Sequence, residues 1–282
     1  MATGADIEAH YDEEFELFRT FLDNRHMAYS CGVWDDAHSL EDAQSAKLRR
    51  IADYARVHQG SSILDVGCGW GGMMEFCVTK LGAAHAIGIT LSPKQYRHIQ
   101  QTAPPNIVPV LESWETYLPS QPVDAIVSIG AFEHFASLPD RKLGRAIEKY
   151  RSFFEFCQSA SSPHARVGLQ TIVTSRAPDS RQSVRDVSYL ARNVFPGSVL
   201  PMVDDIRLAA QGLYEVNELK LIGLDYSRTL EQWDARLVRQ ADELASRFGS
   251  ALVDHFHHYF NAAKRQFDGG YVNLAQMSLR RI

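Results

Sequence analysis

Residues Ser61–Gly72 read SSILDVGCGWGG, and the fold is decided in this stretch. Ile63, Leu64 and Val66 make a short apolar run that carries Asp65 and ends in a glycine-rich turn. A run of this kind reads as a buried parallel strand. Gly67, Gly69 and Gly71 let the backbone turn sharply and lie close to a ligand. Trp70–Leu81 then reads as a helix whose first N–H groups face the turn. Strand, glycine turn and helix N-terminus together suit a nucleotide-like ligand with an anionic group. The spacing G-x-G-x-G leans towards S-adenosylmethionine over a dinucleotide, although such a turn also occurs without either.

Working outward, the alternation is regular. Ala84–Ile89, Ile107–Leu111, Val123–Ile129 and Arg166–Val173 read as further strands. Helices are expected at Ser92–Gln101, with Ser92 as N-cap and Pro93 in the first turn, and at Leu138–Phe156. Strands alternating with helices imply a parallel sheet covered on both faces, with ligands at the carboxyl ends of the strands. Before the glycine turn, Asp6–Asp23 reads as an acidic amphipathic helix with Ile7, Tyr11, Phe15, Phe18 and Leu22 on one face. That face either covers part of a site or packs as plain core. A second helix runs from Leu40 to about Val57, with Ser39 as N-cap. After Thr174 the rhythm changes. Arg176–Pro201 is rich in arginine, Val203–Gly212 reads as helix and Tyr214–Leu224 as strand. Leu230–Phe267 is a long helical stretch and Val272–Arg280 a closing strand.

The bulk numbers restrict the function. At 282 residues, one large domain or a domain with an insertion is expected. A net charge of −5 with no basic block argues against nucleic acid as the main partner. No apolar run approaches the roughly 18 residues that span a membrane. Met1–Ala5 lacks a signal-peptide pattern, and the four cysteines form no C-x-x-C pair, so a reduced, cytoplasmic protein without structural zinc is expected. His255, His257 and His258 lack carboxylate or thiol partners at ligand spacing, and no metal is expected. Arg181, Arg185 and Arg192 share one helix face, either solvated or turned to a phosphate, a diphosphate or a carrier surface.

Several segments fall in order where such a sheet places its strand ends and loops. They include HYDEEFELF (10–18), AYSCGVW (28–34), LEDAQSAK (40–47), LDVGCGWGG (64–72), GITLSPKQ (88–95), SIGAFEHF (128–135), FPGSVLP (195–201) and DYSRTLEQW (225–233). In these the chain resembles the cyclopropane-fatty-acid and mycolic-acid cyclopropane synthase family of S-adenosylmethionine-dependent methyltransferases. The resemblance implies an α/β, seven-stranded Rossmann-like class I methyltransferase with an N-terminal helical cover (1–60) and a cofactor-binding core (61–174). An acceptor-site insertion (175–213) and the remaining core strands with a helical insertion (214–282) complete it.

The resemblance also implies residue roles. Asp65 holds the glycine turn, and Gly67 and Gly69 admit the methionine half of the cofactor. Thr90, with Leu91 beside it, and Gln95 meet the ribose. Ser113, Trp114 and Glu115 flank adenine, and Tyr29 and Ser30 close over the cofactor. Leu91 equally fits simple packing, and Trp114 a core aromatic. In the family a bound bicarbonate serves as base, held by the Cys31 segment, the Ile129 carbonyl, Glu133, a histidine and Tyr226. Here Gln170 replaces that histidine, since LQTIV stands where the family pattern reads LHTI. Glutamine donates to an anion but never becomes cationic, so either bicarbonate binds more weakly or Glu133 acts directly. The expected reaction is methyl transfer to an alkene carbon of an acyl or prenyl small molecule through a carbocation. N- or O-methylation of a small metabolite is the alternative, and a cofactor-binding protein without turnover is a rival of another class.

Overall fold

The computed structural model describes residues 15–282. The expected helix face at Ile7 and Tyr11 lies outside the described residues. α1 (Phe15–Phe21) and α2 (Leu40–Ala55) precede the sheet. The Ser39 hydroxyl caps α2 by accepting from the Asp42 amide at 3.1 Å. β1 (Ser62–Val66), α3 (Gly72–Leu81), β2 (His85–Thr90), α4 (Pro93–Thr102), β3 (Ile107–Leu111) and β4 (Val123–Ile129) follow as two βαβ steps and a crossover. Next come a 3₁₀ turn (Phe132–His134), α5 (Leu138–Lys142), α6 (Ala146–Ala160) and β5 (Ser161–Thr174). The chain closes with α7 (Arg181–Asn193), α8 (Val203–Ala210), β6 (Tyr214–Leu221), α9 (Gly223–Arg239), α10 (Ala241–Phe248), α11 (Ser250–Asp268) and β7 (Val272–Arg281).

The sheet has seven strands in the order β3-β2-β1-β4-β5-β7-β6. β1 to β5 are parallel, and β7 lies antiparallel between β5 and β6. The order reverses direction between β1 and β4, and this switch point opens a crevice at the carboxyl edge. α6 buries Tyr150, Phe153, Phe154 and Cys157 against one face. α2 covers the other, and Gly168 permits the approach: a Cβ there would stand 2.5 Å from the Ile51 carbonyl oxygen.

The expected single helix over 138–156 is two helices. Ser137 and Asp140 form a capping box that starts α5 with Pro139 in its first turn, and Gly144, at φ 71°, separates it from α6. The stretch expected as helix over 230–267 begins earlier, at Gly223, and is divided by Gln240 and by Gly249 at φ 91°. α1, α9 and α11 pack a second apolar cluster that includes Phe18, Phe21, Tyr226, Trp233, Phe256, Phe260 and Phe267.

Candidate active site

The glycine turn does what its spacing requires. Gly67, Gly69 and Gly71 take φ values of 83°, 54° and 90°, open to glycine and strained for other residues. The amides of Gly67 and Cys68 both donate to the Ile89 carbonyl, which pins the turn to β2. A Cβ at Gly67 would collide with Ala131 at 2.5 Å, whereas one at Gly69 would meet nothing within 4 Å. The open side of the turn faces a cleft at the switch point. Its wall takes Asp65 and Val66 from β1, Ile89 and Thr90 from β2, Glu112 and Ser113 after β3, Ile129 from the end of β4 and Gly130 just after it.

Tyr29, Ser30, Asp65, Gly67, Gly69, Thr90, Leu91, Gln95, Ser113, Trp114 and Ile129 all line this cleft. Thr90 donates its hydroxyl to Gln95 Oε1 at 2.6 Å and accepts from the Ser92 amide, so the two expected ribose-facing residues are held as a pair. Trp114 lines the cleft and is also core, with ring centroids 4.9 Å from Phe135 and 5.7 Å from Phe153. Glu115 turns away: its carboxylate lies 3.5 Å from the Lys149 ammonium, and Glu112 lines the cleft instead. α1 covers one rim, where Phe15 stands 4.4 Å from Trp70 and Phe18 stands 5.0 Å from Tyr29.

Glu133, Tyr226, Cys31 and Gln170 are not among the lining residues; all four are buried beyond it. Glu133 lies in the 3₁₀ turn after β4, between cleft-lining Ala131 and His134. Its Oε2 accepts from the Thr171 hydroxyl at 2.7 Å. Burial pushes its carboxyl up to about 7, against the opposing pull of its hydrogen bonds. Gln170 precedes Thr171 in β5, so its side chain leaves the opposite face of the sheet. There it donates to the Cys31 carbonyl at 3.4 Å and accepts from Gln276 Nε2 at 2.7 Å. The Cys31 thiol donates to the Gly32 carbonyl, and burial drives its pKa well up. Tyr226 lies on α9 with its ring 4.6 Å from Phe267.

His134 also lines the cleft. Burial pushes its imidazole down to about 4, so it is neutral, and its Nδ1 lies 2.7 Å from the Ser198 hydroxyl. That contact, with Tyr150 donating to the Val199 carbonyl at 2.9 Å, fastens the FPGSVLP stretch beside the site. Arg181, Arg185 and Arg192 are exposed on α7. His257 pairs with Asp234 at 2.7 Å, and no group of metal-ligating side chains occurs among the described residues. No helix among them is long and apolar enough to cross a membrane.

Sequence reasoning missed Lys47. It falls on the apolar stripe of α2 with Leu40, Ala43, Leu48 and Ile51, is 1% exposed, and lines the cleft. A lysine at a stripe position was the available signal.

A seven-stranded sheet with this order, and a glycine-turn cleft at its switch point, defines an S-adenosylmethionine-dependent methyltransferase of class I. The chain belongs to the mycolic acid cyclopropane synthetase family, whose model matches residues 2–277. It is 31% identical to cyclopropane mycolic acid synthase 2 of Mycobacterium leprae, over 97% of this chain and 92% of that protein. It is 29% identical to cyclopropane mycolic acid synthase 3 of Mycobacterium tuberculosis, over 98% and 96%. Among solved structures, the cyclopropane synthase MmaA2 from Mycobacterium tuberculosis superimposes with a TM-score of 0.88 at 27% identity, covering 98% of both chains. Mycolic acid cyclopropane synthase CmaA1, complexed with SAH and CTAB, gives 0.87 at 29% identity with the same coverage.

Proposed function

We propose that this enzyme methylates an alkene carbon of an acyl or prenyl small molecule, through a carbocation, to give a methyl branch or a cyclopropane. When bound, S-adenosylmethionine supplies an electrophilic methyl group. The glycine turn, the Thr90–Gln95 pair, Trp114 and the Tyr29–Ser30 segment would hold that cofactor. The observation that carries the reading is Glu133, a buried carboxyl poised near neutrality at the carboxyl edge of the sheet. As a carboxylate it stabilises a nearby cation and then takes its proton. Tyr226 with Phe267, and Tyr29 with Trp233 at 5.2 Å, offer aromatic faces to the same cation and keep water out.

We assign the base to Glu133 directly. Both ends of the Gln170 amide are engaged, and the Cys31 thiol is turned to Gly32, so this chain's own bonds compete with an anion for those residues. The stretch 175–213 is assigned to the acceptor side of the site, because Ser198 reaches His134 there. All four cysteines are free and buried, which fits a reducing cytoplasm.

The test is turnover with methyl-labelled cofactor against unsaturated acyl, prenyl diphosphate and amine acceptors, with mass spectrometry of the products. Label on a former alkene carbon is the expected result. Label confined to nitrogen or oxygen overturns the carbocation reading.

A further inference from the structure

Lys47 is the buried cation that the reading above leaves unused. It projects from α2 into the cleft wall and is 1% exposed. Of its three donors, one goes to the Ser30 hydroxyl at 2.9 Å. The groups in its field are Asp23, Cys31 and Asp65, while His26 feels its charge from the same rim. They do not neutralise it equally. Asp23 is the strongest of these charges, but its oxygens accept from the amides of Arg25, His26 and Ala28 at 3.1, 2.6 and 2.8 Å, and among the described residues it makes no ion pair with Lys47. Cys31 stays a thiol, because burial holds its pKa high. Asp65 is itself buried, and that burial pushes its carboxyl up to about 7. Burial likewise pushes Lys47 down to about 8. A buried ammonium whose hydrogen bond goes to a hydroxyl rather than a carboxylate is costly unless an anion arrives.

The only anionic group that S-adenosylmethionine brings is the carboxylate of its amino-acid moiety. The methionine half is the part that the adjoining glycine turn admits, and Ser30 stands beside that turn in the same wall. We propose that Lys47, with the Ser30 hydroxyl, binds the cofactor's carboxylate by a charge-assisted hydrogen bond. Lys47 is then a cofactor-binding residue, and the Tyr29–Ser30 segment is drawn onto the cofactor through it. The same arrangement gives α2, which also bears the capping Ser39, a direct hold on the ligand.

Decarboxylated S-adenosylmethionine keeps the adenosine, the sulfonium and the ammonium and lacks only the carboxylate. Calorimetric affinities of the full-length protein for this compound and for S-adenosylmethionine therefore isolate the contact, without any acceptor. The parent should prefer S-adenosylmethionine by about 30-fold or more, the scale for a buried charge-assisted contact. Lys47→Gln and Lys47→Met should bring the two affinities to within about threefold of each other while still binding the decarboxylated compound as the parent does. Lys47→Met guards against misfolding, since removing a buried, poorly compensated charge for an apolar chain is often neutral. Equal affinities in the parent overturn the proposal. So does a parental preference that survives in either variant, or variants that lose both ligands alike, in which case Lys47 only scaffolds the loop.

Discussion

Thr171 donates its hydroxyl to Glu133 Oε2 at 2.7 Å, with both side chains buried. This bond ties the 3₁₀ turn after β4 to β5, and it favours the charged form of Glu133. Removing it in Thr171→Val should therefore raise the Glu133 pKa above about 7. A hydrogen bond to a charged group is worth about 1.5–3 kcal/mol, so the acidic limb of the kcat profile should move up by about one to two pH units. The cofactor Kd should stay the same. A lower plateau with an unmoved limb would reduce Thr171 to packing.

Glu133→Gln keeps the size and removes the charge. Turnover should fall about 100-fold or more, the range for a positioned acid–base group. Cofactor affinity should survive within about threefold, a difference of roughly 0.7 kcal/mol. Parental turnover in this variant, with cofactor saturating, would place the acceptor chemistry elsewhere.

The same substitution has a consequence for stability. Glu133 is protonated in the folded chain up to about 7 but ionises near the ordinary glutamate value of 4.5 when unfolded. Between those values the folded state holds more protons, so stability falls as pH rises from about 4.5 to about 7 and stays lower above it. Asp65, raised from 3.8 to about 7 mainly by burial, acts with the same sign. Glu133→Gln should flatten this slope and melt above the parent at pH 8, as read by calorimetry. An unchanged slope would mean that Glu133 is not the buried acid responsible.

Trp114 has two duties, so Trp114→Ala should show two losses. Packing against Phe135, Phe153 and Phe156 makes a drop of about 3–5 kcal/mol in folding stability the expected result. Loss of an aromatic face in the cleft should add a cofactor penalty of about 1–3 kcal/mol. A folded variant with parental cofactor affinity would leave Trp114 as core alone.

The sheet was legible because its signals are local. Ile63–Val66, the glycine turn and the Ser92-Pro93 cap each announce an element within a few residues. The helix breaks at Gly144 and Gly249 were hidden because each glycine lies within a helical apolar pattern. Most of the expected cofactor residues converge because loops at strand ends must meet at the switch point. Glu115 and Glu112 could not be told apart in that way, since which carboxylate turns inward depends on Lys149, supplied by α6. Likewise, Gln170 meets Gln276 only through the β5–β7 register, across a sequence separation of 106. A registry of that range leaves no mark on either segment alone.

That pairing frames the last prediction. Arg50 donates to Gln276 Oε1 at 3.2 Å, Gln276 donates to Gln170 Oε1 at 2.7 Å, and Gln170 donates to the Cys31 carbonyl at 3.4 Å. The chain of donors fixes the Gln170 amide and leaves at most one of its N–H groups for an anion. Glu133 acting as base on its own needs no such anion. Turnover of the parent should therefore be the same, within about twofold, in carbonate-free buffer and with added bicarbonate. Gln170→His gives up the acceptor oxygen that Gln276 uses and introduces a ring able to carry charge. That variant should remain active and become sensitive to bicarbonate. If the parent instead loses activity in carbonate-free buffer and bicarbonate restores it, Gln170 supports the anion after all and the direct role of Glu133 falls.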